Sequence, residues 1–221
     1  MKLLKNITLI SCLLFTFINT YAQPGQAFKE KSDPEATKIL KNLKKVYGKY
    51  DGLEIDYELK LEYGEEEEIQ KGSIYQKGEK YKINNNGNII INDGEKVLMY
   101  IKKQNELQVN DIIPEEEQPF TPAKILNIDE NDKDFVYAIT GEDSRGYKIE
   151  FKPLDRDSEI MKIRIRVNKA QTEISSVKIF SDDGSRMTFI VKDIKNIKET
   201  SNSFKFDKSQ YPGVTEIDLR D

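Results

Sequence analysis

The run from Gly72 to Leu126 constrains this chain most, because it carries strand, hairpin and strand in one unbroken series of signals. Asn92-Asp93-Gly94 separates the apolar runs Ile89 to Ile91 and Val97 to Ile101. Asp-Gly supplies the positive φ that tight hairpin turns need, so two neighbouring antiparallel strands are expected. Pro114, Pro119 and Pro122 then interrupt the ladder, since proline donates no backbone hydrogen bond. Ala123 to Ile128 is a short apolar segment expected to form a helical turn over the sheet.

The flanking sequence extends the same pattern. Leu53, Ile55, Tyr57, Leu59, Leu61 and Tyr63 alternate with Glu54, Asp56, Glu58, Lys60 and Glu62, the signature of a long strand with one face buried and one wet. Ahead of it, Ala36, Ile39, Leu40, Leu43, Val46, Tyr47 and Tyr50 share one helical face. That helix is expected to open at Ser32 or Asp33 with Pro34 in its first turn and to stop at Gly48. Glu65 to Glu68 is expected to be a solvated hairpin loop, as blocks of like charge usually are. Downstream, Phe135 to Ile139 and Tyr147 to Phe151 form a hairpin around Gly141 and Gly146, and Asp182-Asp183-Gly184 turns another. Lys162, Arg164 and Arg166 alternate with Met161, Ile163, Ile165 and Val167, which places a basic stripe on a solvated outer sheet face. Phe204 and Phe206 are expected to form the last strand. Asp129 to Asp134 has the acidity of a calcium loop but lacks its glycine and its terminal glutamate, so it is a plain loop.

Composition narrows the chemistry. The single cysteine is Cys12 and there is no histidine, so residues 23 to 221 carry no disulfide, thiol nucleophile, Cys/His zinc site or His-based triad. No pair of the remaining carboxylate, hydroxyl or lysine groups has catalytic spacing, and no enzyme or cofactor is expected. Lys2 and Lys5 precede the apolar run Ile7 to Ile18, and Thr20-Tyr21-Ala22 follows with small residues at a peptidase site. Residues 1 to 22 are therefore read as a secretory signal, with residues 23 to 221 as one soluble domain lacking a stable membrane insertion. Without the signal, 33 basic residues stand against 39 acidic ones, a net charge of −6, which argues against a nucleic-acid partner. The architecture expected is mainly β with α: about ten or eleven short antiparallel strands in a strongly curved sheet.

Gly72-x-Ile74-Tyr75 with Lys77, Tyr81, Asn92-Asp93-Gly94-x-x-x-Leu98-x-Tyr100, Thr121-Pro122-Ala123-x-Ile125-Leu126, and Phe204-Lys205-Phe206 before Pro212-Gly213-Val214 together resemble the LolA family of periplasmic lipoprotein carriers. The resemblance covers residues 23 to 221 in order. It implies an incomplete β-barrel closed by the N-terminal helix and by a short helical lid from the Pro-rich insertion. It further implies a periplasmic monomer that takes acylated lipoproteins from an inner-membrane ABC transporter, shields their acyl chains, and passes them to an outer-membrane acceptor. Tyr57, Leu59, Tyr81, Leu98, Tyr100 and Phe151 are then expected on the concave side. The parity of Leu98 and Tyr100 against Val97 and Met99 stays open, because that strand is apolar on both faces. Leu40 and Leu43 of the helix, with Phe120, Ile125 and Leu126 of the insertion, are the expected closing residues. Family members carry an Arg-Pro pair where this chain has Gly78-Glu79. A lipid-sensing or glycolipid-carrying protein of the same fold and a structural envelope module with a filled core are the alternative readings.

Overall fold

The computed structural model describes residues 31–112, 134–170, 172–198 and 202–220. Helix α1 spans Pro34–Tyr47. Strands follow in the order β1 (Leu53–Tyr63), β2 (Glu66–Lys77), β3 (Lys80–Asn85), β4 (Asn88–Asn92), β5 (Val97–Ile101), β6 (Glu106–Asn110), β7 (Phe135–Glu142), β8 (Gly146–Pro153), β9 (Ile160–Asn168), β10 (Glu173–Ser181), β11 (Arg186–Asn196) and β12 (Thr215–Asp218). They form one curved open sheet, in the order β12-β6-β5-β4-β3-β2-β1-β11-β10-β9-β8-β7. Curvature has a local cause on one side: register shifts interrupt the β1/β11, β9/β10 and β7/β8 ladders, and each such bulge bends and twists its strand.

Among the described residues twelve strands stand where ten or eleven were expected, and the last one breaks the antiparallel rule. Thr215 to Asp218 pairs in parallel with Glu106 to Val109. Phe204 and Phe206 lie outside any strand, and their rings pack on the sheet instead, Phe204 stacking on Tyr75 at 5.0 Å. The acidic loop is shorter than its charge run. Gly64 and Glu65 make the turn, and Glu66, Glu67 and Glu68 already belong to β2, paired with Tyr63, Glu62 and Leu61.

Helix α1 starts at Asp33, whose side chain accepts the Glu35 N–H at 2.8 Å, the usual way to satisfy a free first-turn donor. Ser32 bonds elsewhere. Its hydroxyl accepts the Tyr137 N–H, while Asp33 N–H donates to the Tyr137 carbonyl at 2.8 Å. The helix start thereby occupies backbone groups of the edge strand β7, which otherwise invite pairing with another chain. At the other end Tyr47 Oη accepts the Ile174 N–H of β10 at 2.8 Å. Burial around that bond pushes the Tyr47 phenol well above its ordinary pKa.

Directly paired residues in neighbouring strands share a face. Ile55, Ile74, Ile83, Ile90 and Met99 therefore line one face, here called inner because Ala36, Leu40 and Leu43 of α1 pack on it. Tyr75, Ile91, Leu98 and Val109 line the opposite, outer face. The larger core lies between α1 and the inner face of β1, β2 and β7–β11, with Ile149, Phe151, Ile163, Ile165, Val167 and Val177 at most 1% exposed. The smaller core lies on the outer face of β2–β6, beneath the C-terminal stretch that carries Ile197, Phe204, Phe206, Tyr211 and Val214.

Candidate functional site

The inner face carries an apolar band, bordered by amides such as Gln70, Gln76, Asn85 and Asn92, and it is covered over only part of its width. Beside the helix-covered half, β3–β5 present Ile83, Ile90, Met99 and Ile101 as half-buried side chains. With Asn85 and Asn88 they line a recess of about 270 Å³. Among the described residues no Asp, Glu, Lys or Arg lines it, so they offer it apolar contact and amide hydrogen bonds but no charged group. Asn85 sets its polar border: the side-chain amide donates to Gln70 Oε1, and the carbonyl Oδ1 is buried without a partner.

The floor is straightforward to build. Gly78-Glu79 and Asn86-Gly87 are two-residue turns, with Gly78, Asn86 and Gly87 at positive φ. Asp93 to Lys96 forms a four-residue loop, longer than a two-residue turn, in which Asp93 Oδ1 accepts the N–H groups of Glu95 and Lys96, both at 2.9 Å. Each loop has an even number of residues, so an even-numbered position pairs with an odd-numbered one across each hairpin, which carries the inner face from Ile74 to Ile83, Ile90 and Met99. Gly72 completes the border with the covered half. A Cβ there would sit 2.1 Å from Asn84 O and 2.6 Å from Tyr57 Oη, and its absence lets the Tyr57 ring lie across the neighbouring strand.

The sequence-derived residues divide accordingly. Tyr57, Leu59, Tyr81 and Phe151 are on the inner face, in register with Val191, Phe189, Gln76 and Ile163 respectively. Tyr57 and Phe151 are core residues: Tyr57 packs against Phe189 with ring centroids 4.7 Å apart, and its burial pushes the phenol up to about 12. Phe151 is fully enclosed against Tyr137 and Phe135. Leu59 and Tyr81 remain half-buried. Burial raises the Tyr81 phenol and a hydrogen bond with Asn92 offsets part of that rise. Leu40 and Leu43 are core as well, 2% and 4% exposed beneath α1.

Leu98 and Tyr100 require a correction. Both point to the outer face, paired with Ile91 and Ile89. Tyr100 packs on Phe206 and Tyr211 at 5.3 and 4.4 Å, and its hydroxyl donates to Asn105 at 3.1 Å. The inner positions on that strand are Val97, Met99 and Ile101. Periodicity misses Met99, Ile83 and Ile90 because β4 and β5 are apolar at every position; counting the loop residues back to Ile74 finds them. Phe120, Ile125 and Leu126 lie outside the described residues, as does the 1 to 22 segment. Among the described residues no group of three metal-ligating side chains comes together, and no helix is long and apolar enough to cross a membrane.

Residues 49–207 match the sequence profile of the outer membrane lipoprotein carrier protein LolA. The chain belongs to the LolA family. No curated protein sequence matches it at a significant level. Among solved structures, an uncharacterized conserved protein from Thermus thermophilus is similar at 10% identity, with a TM-score of 0.55, over 83% of this chain and 99% of that one. A LolA superfamily protein from Nitrosomonas europaea aligns at 12% identity with a TM-score of 0.41, over 78% of this chain and 98% of the other. The lipoprotein LppX of Mycobacterium tuberculosis aligns at 9% identity with a TM-score of 0.45, over 76% and 99%. At 10% identity the likeness to the Thermus thermophilus protein shows the fold alone.

Proposed function

We propose that this LolA-family protein is a non-catalytic carrier in the periplasm, and that it holds the acyl chains of lipoproteins against the inner face of β3–β5. The observation that supports this reading is the contrast within one face. Apolar side chains at equivalent positions are sealed under α1 in β8–β10 but remain half-buried at Ile83, Ile90, Met99 and Ile101. Apolar surface of that kind, bordered by amides and free of charge, suits a hydrocarbon and no polar substrate. The recess of about 270 Å³ is small for a ligand site, where roughly 300–1,000 Å³ is usual, so it seats part of a chain and the rest runs along the face.

Transfer energetics make such a carrier necessary. An acyl chain of roughly fifteen methylenes forfeits on the order of 12 kcal/mol in water, at about 0.8 kcal/mol per methylene. In this reading the inner-membrane lipoprotein-releasing ABC transporter delivers the cargo and an outer-membrane acceptor receives it, with the protein acting as a monomer. Release needs no chemistry, because an acceptor offering more apolar surface draws the chain away. The lack of histidine and of any cysteine beyond Cys12 accords with that economy.

The test is displacement of a fluorescent fatty acid from the purified protein, with mass spectrometry of co-purifying acylated proteins. Met99→Asp is expected to weaken probe binding at least tenfold while leaving the melting temperature within a few degrees, since about 1 kcal/mol moves a domain of this size by roughly 2–4 °C. A parent protein that binds neither the probe nor any acylated protein overturns the proposal.

A further inference from the structure

The outer face of β8–β11 carries a charge arrangement that lipid carriage does not use. Register places Lys148, Lys162, Arg164, Arg166, Lys178 and Arg186 on that face. Four of them surround one ring: Lys162 Nζ lies 4.8 Å, Arg164 Cζ 5.2 Å, Lys178 Nζ 5.6 Å and Arg186 Cζ 5.9 Å from the centroid of Phe180. Three carboxylates meet the six cations. Glu150 binds Lys162 at 3.4 Å and also Arg164, Glu62 binds Lys178 at 2.7 Å, and Asp143 pairs with Arg166. The surplus is positive on a chain whose net charge is −4, so the segregation is local and runs against composition.

Two carboxylates, Glu150 and Glu62, stand against the four cations around the ring, and the positive charge left over is what an anion would meet. We propose that this face docks reversibly on the phosphate headgroups of an anionic phospholipid bilayer. A protein partner fits less well. Stable protein interfaces have an apolar, charge-depleted centre, whereas here the centre is the most charged part, with cations gathered around the half-buried Phe180 ring. A fluid plane of phosphates needs only a matching surface of cations, spaced about 4.8 Å apart across the strands. The contact is electrostatic and without insertion, so it is weak and salt-sensitive, and it uses the face opposite to the one that carries α1 and the β3–β5 floor.

Vesicle co-sedimentation of the purified protein tests this. Vesicles with roughly a third phosphatidylglycerol should bind it at about 0.1 M salt and release most of it at about 0.5 M, while phosphatidylcholine vesicles should not bind it. Arg164→Gln with Lys178→Gln should lower partitioning about 25-fold, at roughly fivefold per cation. Lys38→Gln with Lys45→Gln, an equal charge change on exposed positions of α1, should lower it far less. Should the first pair fail to fold, Lys148→Gln with Arg186→Gln, both exposed, serves in its place. Equal binding to both vesicle types, equal loss in the α1 pair, or binding of polyglutamate without binding of vesicles each overturns the proposal, the last in favour of an acidic protein.

Discussion

The two halves of the sheet solve one packing problem in opposite ways. In the half built from β7–β11, α1 covers the inner face and the outer face stays wet and charged. In the half built from β3–β6, the C-terminal stretch covers the outer face with Phe204, Phe206 and Tyr211, and the inner face keeps its half-buried apolar floor. A single sheet thus carries two cores on opposite sides. Each strand needs only one face sealed to be stable, so the second half can leave its inner face available for a ligand. The cargo surface we propose exists because the C-terminal stretch has taken over the stabilising role that α1 plays elsewhere.

The largest effect should come from opening the filled half. Phe151 is fully enclosed between Tyr137 and Phe135, and Phe151→Ala is expected to destabilise by about 3–5 kcal/mol in denaturant melts. Fatty-acid probe affinity, corrected for the folded fraction, should stay unchanged. A fall in affinity with little loss of stability would mean that the helix-covered half also holds cargo.

Adjacent residues on opposite faces give a sharper comparison. Ile91 is 0% exposed on the outer face, whereas Ile90 is half-buried on the inner one. Ile91→Ala should cost about 2–4 kcal/mol and leave probe binding alone, while Ile90→Ala should cost about 1 kcal/mol or less and weaken binding. Equal stability losses would show that the inner floor is ordinary core. A related pair uses the bulk of tryptophan. Met99→Trp should displace the probe with little destabilisation, whereas Val177→Trp in the filled half should cost about 1–3 kcal/mol through overpacking.

Most of this division is legible in the sequence, and the exceptions share a cause. The alternation of Leu53 to Tyr63 and the 3.6-residue spacing of Ala36, Leu40 and Leu43 place β1 and α1 within a residue or two, because one face of each is polar. Where both faces are apolar, as at Ile89 to Ile91 and Val97 to Ile101, composition carries no parity, and the concave side expected for Leu98 and Tyr100 is the wrong one. The rule that fixes them is loop length, which transmits parity across hairpins. Phe204 and Phe206 alternate like a strand, yet both rings serve as a cover, stacking on Tyr75 and Tyr100. Strand β12 escapes because its four residues are all exposed and its partner β6 is more than a hundred positions away, beyond any local signal. The half-buried state of Ile83, Ile90 and Met99 on the inner face depends on which cover each half receives, a tertiary outcome that no periodicity encodes.

The smallest expected effect compares the same turn in the two halves. Asp93 and Asp143 each close a hairpin by accepting backbone N–H groups two and three residues ahead: Glu95 and Lys96 at 2.9 Å for Asp93, Arg145 at 2.8 Å and Gly146 at 3.0 Å for Asp143. Both carboxyls lie below their ordinary pKa. For Asp93 burial works against those hydrogen bonds and is outweighed. For Asp143 the Arg166 guanidinium is the main cause, and the pKa falls to about 2. A carboxyl depressed on folding contributes stability that is present above its unfolded pKa of about 4 and is lost as the pH falls through the folded value. Asp143→Asn keeps the acceptor oxygen and removes the charge, so the gap in melting temperature between parent and variant should be open at neutral pH and close between about pH 4 and pH 2. Both partners are solvated, so the gap should be small and should shrink in about 1 M salt. Asp93→Asn should show a gap that salt alters less, because two backbone donors and partial burial hold that carboxylate ahead of its Lys96 ion pair at 3.1 Å. A salt response of equal size at both turns would show that the wet, charged outer face of the β7–β11 half adds nothing of its own to that hairpin.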